Sequence, residues 1–169
     1  NLGLLAYEKG DFAKAEEFFN KAKAVKADAA EVNANLALIE LGKGNVAVAE
    51  TYLGKAAGAE GLNEALACLN IAKGSYGKAA STVKEVASNS AALAQILNKD
   101  YAAAKNTLEN VANKDAYTSY LKAVVAARTK DAAAVSANLR DAFVLDASLI
   151  NRAKKDLEFA AYKSIIDAF

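Results

Sequence analysis

The chain contains no histidine, proline, methionine or tryptophan and only one cysteine, Cys68. Without histidine there is no imidazole to act as a general base, to activate a nucleophile or to ligate a metal. A single thiol cannot form an intramolecular disulfide, and it fits a reducing or an oxidising compartment equally well. No run of 18 uninterrupted apolar residues is present, so no segment can form a membrane-spanning helix, and no signal peptide is evident. Charge of one sign is also missing. Lys and Arg total 21 against 20 for Asp and Glu, a net charge of +1. Such a balance argues against a nucleic-acid footprint or an anionic membrane surface.

What is present favours helix. Of 169 residues, 42 are alanine, and Lys, Glu, Leu and Asn supply much of the rest. These are helix formers or cappers, while β-branched residues are sparse. At 54% hydrophobic, the chain can bury a core and is not a disordered segment.

The sequence repeats itself. Gly10-Asp11-Phe12-Ala13-Lys14-Ala15 is followed 34 residues later by Gly44-Asn45-Val46-Ala47-Val48-Ala49. Gly74-Ser75-Tyr76-Gly77-Lys78-Ala79, Lys99-Asp100-Tyr101-Ala102-Ala103-Ala104 and Lys130-Asp131-Ala132-Ala133-Ala134-Val135 continue the series. Each unit holds Gly or Lys, then a capping residue, then usually a large apolar residue, with Ala or Val three further on. Asp11, Asn45, Ser75, Asp100 and Asp131 are all residue types that accept bonds from the first N–H groups of a helix. Gly10, Gly44 and Gly74 supply the permissive backbone that ends the preceding helix. Each unit therefore predicts a helix, a tight turn and a second helix. Apolar residues recur at helical spacing on both sides of the turns, as in Phe12, Ala15, Phe19 and Ala22, or Val46, Ala49, Leu53 and Ala56. Helices are predicted over 1–9, 12–26, 30–43, 46–57, 62–73, 76–87, 90–98, 101–112, 115–129, 132–145, 148–155 and 157–168.

This pattern resembles the tetratricopeptide repeat family. Leu2-Gly3, Tyr7, Gly10-Asp11-Phe12, Ala15, Phe19 and Ala22 follow the family's order, with Tyr7 one residue late. Leu36-Ala37, Gly44-Asn45-Val46, Ala49, Leu53 and Ala56 follow it again at the family's period. The third unit keeps Gly74-Ser75-Tyr76, Ala79, Val83 and Val86. The fourth and fifth are degenerate, because their turns lack glycine. The family's closing proline is missing throughout, with Ala27 and Ala147 in its place. The resemblance implies an all-α, right-handed superhelical array in one continuous domain. About five repeats would span 1–29, 30–61, 62–88, 89–113 and 114–147. Residues 148–169 resemble the closing segment of bacterial members, whose helix covers the last apolar face. The chain reads as a fragment of a longer bacterial protein that opens inside a helix. Its compartment stays open between the cytoplasm and the periplasm or a membrane anchored through an upstream region.

Motifs of chemistry are few. Gly42-Lys43-Gly44-Asn45-Val46-Ala47 matches a loose dinucleotide fingerprint, but that motif must follow a strand. Here it is the repeat turn. Ser75-Tyr76-Gly77-Lys78 matches a Ser-x-x-Lys nucleophile signature without its partner motifs, and Ser75 reads as a helix cap. Cys68 lies between Ala67 and Leu69 with no base beside it, and reads as a structural thiol. Glu16-Glu17 and Asp156/Glu158 read as solvated helix faces without partners. Lys21, Lys23 and Lys26 are diluted by Glu16, Glu17 and Asp28, and read as a solvated face.

The resemblance implies a concave groove lined by the first helices of the repeats. Its lining would be Tyr7, Glu8, Leu38, Leu41, Glu64, Cys68, Ile71, Leu93, Ile96, Tyr117, Tyr120, Val124 and Arg128. Leu38 and Cys68 stand where polar clamps for a chain-terminal carboxylate would be, which argues against that mode of binding. The apolar lining fits a hydrophobic or amphipathic partner segment, or else internal packing between tightly wound repeats. The implied function is non-catalytic: a scaffold or adaptor that binds another protein or peptide, with no cofactor, metal or nucleic acid. The alternative is a structural spacer within a larger multidomain protein, with no groove ligand.

Overall fold

The computed structural model describes residues 12–25 and 29–169. The expected helix over 1–9, the Asp11 cap and the Gly10 turn lie outside the described residues. Among the described residues the fold is all-α, without strands. The chain divides into two compact units, one ending at Val83 and the other starting at Lys84.

The first unit contains α1 (Phe12–Val25), α2 (Ala30–Gly42), α3 (Val46–Leu53), α4 (Leu62–Ala72) and α5 (Tyr76–Thr82). Helices α2 and α3 form one hairpin, and α4 and α5 the next. The two first helices, α2 and α4, pack directly on each other, and α1 packs on α2. The second unit contains α6 (Asn89–Leu97), α7 (Tyr101–Asn110), α8 (Ala116–Arg128) and α9 (Ala132–Leu145). Its hairpins are α6–α7 and α8–α9, and α6 packs on α8. A closing segment follows: α10 (Leu149–Lys155), a 3₁₀ turn (Leu157–Tyr162) and α11 (Lys163–Ile166).

Burial follows the repeat register. The fourth residue of each second helix is Ala15, Ala49, Ala79, Ala104 or Val135, and each is fully buried. Four residues on, Phe19, Leu53, Val83, Leu108 and Leu139 are also buried. A methyl at the first position lets neighbouring helices approach closely. A larger group one turn on then fills the space beside it. Ala22, placed in the same series, is exposed.

Four hairpin turns share one geometry. The N–H of Gly44 donates to Leu41 C=O and that of Asn45 to Glu40 C=O. The same paired bonds join Gly74 to Ile71 with Ser75 to Asn70, Lys99 to Ile96 with Asp100 to Gln95, and Lys130 to Ala127 with Asp131 to Ala126. This is the Schellman ending, with its pivotal residue left-handed. Gly44 and Gly74 have φ of 82° and 72°, and Lys99 and Lys130 adopt 64° and 62°. The turns without glycine therefore keep the same fold, with lysine in a conformation that costs an L-residue free energy.

Capping differs from the sequence reading. Asp100 and Asp131 do cap α7 and α9, accepting from Ala103 N–H at 3.1 Å and Ala134 N–H at 2.9 Å. Asn45 and Ser75 do not cap. The Asn45 amide instead donates to Glu40 Oε2 at 2.8 Å. Ser75 has ψ of 61°, where a hydroxyl one bond shorter than a carboxylate oxygen falls short of the helix. Ser88, at ψ 163°, does reach the N–H of Ala91.

Several helices stop early. Helix α3 ends at Leu53 rather than 57, before Gly54 and a string of tight turns. Helix α5 ends at Thr82 rather than 87, where the Ser81 and Thr82 hydroxyls donate back to Lys78 C=O and compete with the helix. Helix α7 ends at Asn110, because Val111 is extended. The single helix expected over 157–168 is split into a 3₁₀ turn and one α-turn, which buries both Phe159 and Ile166.

Candidate functional site

The sequence-predicted groove residues fall into three groups. Tyr7 and Glu8 lie outside the described residues. In the first unit, Leu38 and Leu41 on α2 and Glu64, Cys68 and Ile71 on α4 are all half-buried. Leu38 and Leu41 pack against a cluster of Ala37, Ala49, Leu53, Ala65 and Leu69, which joins α2, α3 and α4. The structure thus brings these side chains onto two adjoining first helices, each keeping part of its apolar surface in solvent.

In the second unit, Ile96 and Tyr120 are buried at 3% and 1% exposure, so they offer no open lining. Val124 is buried as well. Leu93 and Tyr117 are half-buried against the same core, and Arg128 is exposed. Tyr117, Tyr120, Val124 and Arg128 recur at helical spacing on one side of α8. The closing segment occupies that side. The Tyr120 hydroxyl donates to Asp156 Oδ2 at 2.7 Å, and its ring meets Phe159 edge-on at 5.4 Å. Arg128 grips Glu158 with both arms, Nε to Oε2 and Nη2 to Oε1, each at 2.5 Å. The Tyr162 hydroxyl donates to Ala127 C=O at 3.4 Å. Burial, with the bond to Asp156, pushes the Tyr120 phenol far above its usual range. The two-armed bond to Glu158 raises the Arg128 guanidinium further.

Asp156 and Glu158 are therefore not solvated acids, because they fasten the closing segment to α8. Glu16 and Glu17 are not without partners either. Glu16 accepts from Lys43 at 2.6 Å and Glu17 from Lys21 at 2.5 Å. Lys43 also donates to Glu40 at 3.1 Å, and the Glu16 bond, then the Glu40 bond, raises its pKa. Glu50 and Lys73 repeat the Glu16–Lys43 contact one hairpin on. In both cases the fifth residue of a second helix pairs with the lysine before the next turn glycine. Lys23 lies over the Tyr52 ring at 4.9 Å.

At the other end of the α8 face, Asp115 caps the helix. It accepts from Thr118 N–H at 2.7 Å and from the Thr118 hydroxyl at 2.8 Å, and the Asn89 amide adds a bond at 3.1 Å from α6. Burial pushes the Asp115 carboxyl up, but these bonds outweigh it and hold the group below its ordinary value.

Sequence reasoning did not find a cleft of about 310 Å³ between α7, α8 and α9. Leu108, Val125 and Ala134 supply apolar wall, with Lys105, Lys122, Glu109 and Asp131 around them. These four charges cancel, and no sequence signal marks the cleft.

Among the described residues, no group of three Cys, Asp or Glu side chains is placed to hold a metal ion. None of their helices is long and apolar enough to cross a membrane. No protein-family model, curated protein or solved structure matches the chain. Functional inference therefore rests on the geometry of these helices.

Proposed function

We propose that the chain is a tetratricopeptide-like repeat protein that binds another protein or peptide and acts as a scaffold or adaptor. One observation carries this reading: Leu38, Leu41 and Ile71 remain partly exposed on two first helices that pack side by side. Three partly exposed aliphatic groups on adjoining helices offer apolar surface of the kind that takes up an amphipathic helix or an extended apolar segment. The second unit supports the same use of a first-helix face. There α8 takes up a segment of the chain itself through an aromatic core, a buried hydroxyl bond and a two-armed ion pair. Repeated second-helix alanines, Schellman turns and the Glu16–Lys43 and Glu50–Lys73 pairs support the tetratricopeptide-like reading.

The test is partner capture from the native host, comparing the wild-type chain with a Leu41→Lys/Ile71→Lys variant. Both positions are half-exposed, so each lysine can carry its charge to water along its own stem. The expected result is a discrete partner held by the wild type and lost by a variant of unchanged helix content. Equal recovery by both chains would move binding away from this face. Recovery of nothing specific would favour the structural-spacer alternative.

A further inference from the structure

The chain has three arginines, and they stand in three different states. Arg128 has its fork filled by Glu158. Arg140 is exposed, with no carboxylate or ring against it among the described residues. Arg152, on α10, lies over two aromatic rings. Its guanidinium carbon is 5.0 Å from the Tyr117 ring centroid and 5.2 Å from that of Tyr120. Those two rings are themselves stacked, 6.1 Å apart at 17°.

The acids beside Arg152 in the chain are committed elsewhere. Asp156 spends Oδ2 on the Tyr120 hydroxyl and Oδ1 on the Glu158 N–H at 3.0 Å. Glu158 spends both oxygens on Arg128. No described residue makes a hydrogen bond or an ion pair with the Arg152 guanidinium. The result is a solvent-facing guanidinium oriented by two rings, with all its N–H donors unspent. Ring stacking removes much of the rotamer freedom that makes an ordinary surface arginine a weak binder.

We propose that Arg152, held over the Tyr117 and Tyr120 rings, is a recognition site for a carboxylate side chain on an acidic segment of a partner protein. The neighbouring Arg128–Glu158 pair shows the bonding that the site would form: a planar fork meeting a planar carboxylate. Charge selects the monoanion. The Arg128–Glu158 pair cancels itself and the Asp156 carboxylate bonds only neutral donors, so a monoanion at Arg152 meets less repulsion from Asp156 than a phosphate dianion would. This site lies in the second unit and does not depend on the apolar face of the first.

Nitrogen-15 NMR of the arginine Nε–Hε groups tests it, since three arginines give three signals. The probe is N-acetyl-glutamate α-amide, with inorganic phosphate as the second arm. The expected result is a saturable shift of the Arg152 signal, no movement of Arg128, and a linear, unsaturated drift of Arg140. Arg152→Lys keeps the charge but loses the fork, and should remove the saturable response measured on the backbone amide of Tyr117. Tyr117→Leu keeps the apolar packing but removes one ring and the hydroxyl, and should weaken binding about two- to fivefold. An Arg152 signal that drifts in step with Arg140 would overturn the site. Saturation by phosphate at lower concentration than by the carboxylate would overturn its assigned ligand.

Discussion

Tyr120 donates its phenolic proton to Asp156 across 36 residues of chain, and this bond ties the closing segment to the first helix of the last hairpin. The phenol is buried, and Phe159 packs on its ring. Removing the hydroxyl leaves an Asp156 oxygen short of its donor inside a half-buried contact. Tyr120→Phe should therefore lower stability by about 1–2 kcal/mol, in line with hydrogen bonds to charged acceptors. Urea unfolding followed by far-UV dichroism measures it. An unchanged midpoint would mean that the bond does not hold the segment.

The four shared turns predict opposite outcomes for opposite substitutions. Lys99→Gly and Lys130→Gly relieve a left-handed lysine and should each raise stability by about 0.5–1 kcal/mol, after the entropy that glycine adds to the unfolded chain. Gly44→Ala and Gly74→Ala should each cost about 1 kcal/mol. Nothing lies within 4 Å of the added methyl at either glycine, so that cost is one of backbone conformation alone. Thermal melts of the four variants check the signs. Asp100→Ala and Asp131→Ala should cost about 0.5–2 kcal/mol each through lost caps, a loss that Ser75→Ala should not show.

Asp115 predicts a pH effect. Its folded pKa is depressed below the ordinary 3.8. The native state therefore binds this proton less readily than the unfolded chain does, and stability rises with pH wherever the unfolded group is still protonated. The contribution is complete above the ordinary value and is lost as pH falls below it through the folded value. Asp115→Asn keeps a capping side chain but does not titrate. The wild type should lose more melting temperature than Asp115→Asn between pH 5 and pH 3. Parallel loss in both would contradict the role given to Asp115.

Ala104 is fully buried on α7, in the same register as Ala49 and Ala79. Ala104→Leu should cost about 1–3 kcal/mol, because the close approach of the helices leaves no room for a larger side chain. Denaturant unfolding measures it. A neutral result would mean that the alanine register does not set the helix spacing.

Much of this fold is legible in the sequence, because it is written in local signals. Ala49 and Leu53, or Ala104 and Leu108, announce a second helix and the face it buries. Gly44 and Gly74 announce the turns. Lys99-Asp100 and Lys130-Asp131 announce turns in the same series, but not that each lysine is left-handed, which only the backbone reveals. The caps divide for a similar reason. Asn45 has the right chemistry but is drawn to Glu40, a contact fixed by side-chain geometry at the turn rather than by residue type.

The candidate site is less legible. The resemblance groups Tyr117, Tyr120 and Arg128 as groove lining, and in the structure all three meet the closing segment. What covers that lining depends on Asp156, Glu158 and Phe159, which lie some 30 residues away and break the expected closing helix into a 3₁₀ turn. A pair of acids two residues apart looks like a solvated face until their partners are known. Leu38 and Leu41 pack on the cluster that joins α2, α3 and α4, and with Ile71 they stay half-exposed, which matches their apolar character without marking what they meet.

The most direct measurement is photo-crosslinking from the face itself. A benzophenone amino acid placed at Ile71 samples the apolar surface of the first helices. The same group at Val48, 46% exposed on α3, samples a second-helix surface. In native-host extract, the account predicts a discrete crosslinked protein from position 71 that is absent from position 48 and is competed away by unlabelled wild-type chain. No discrete product at position 71, or the same product from both positions, would contradict a partner site on the α2–α4 face.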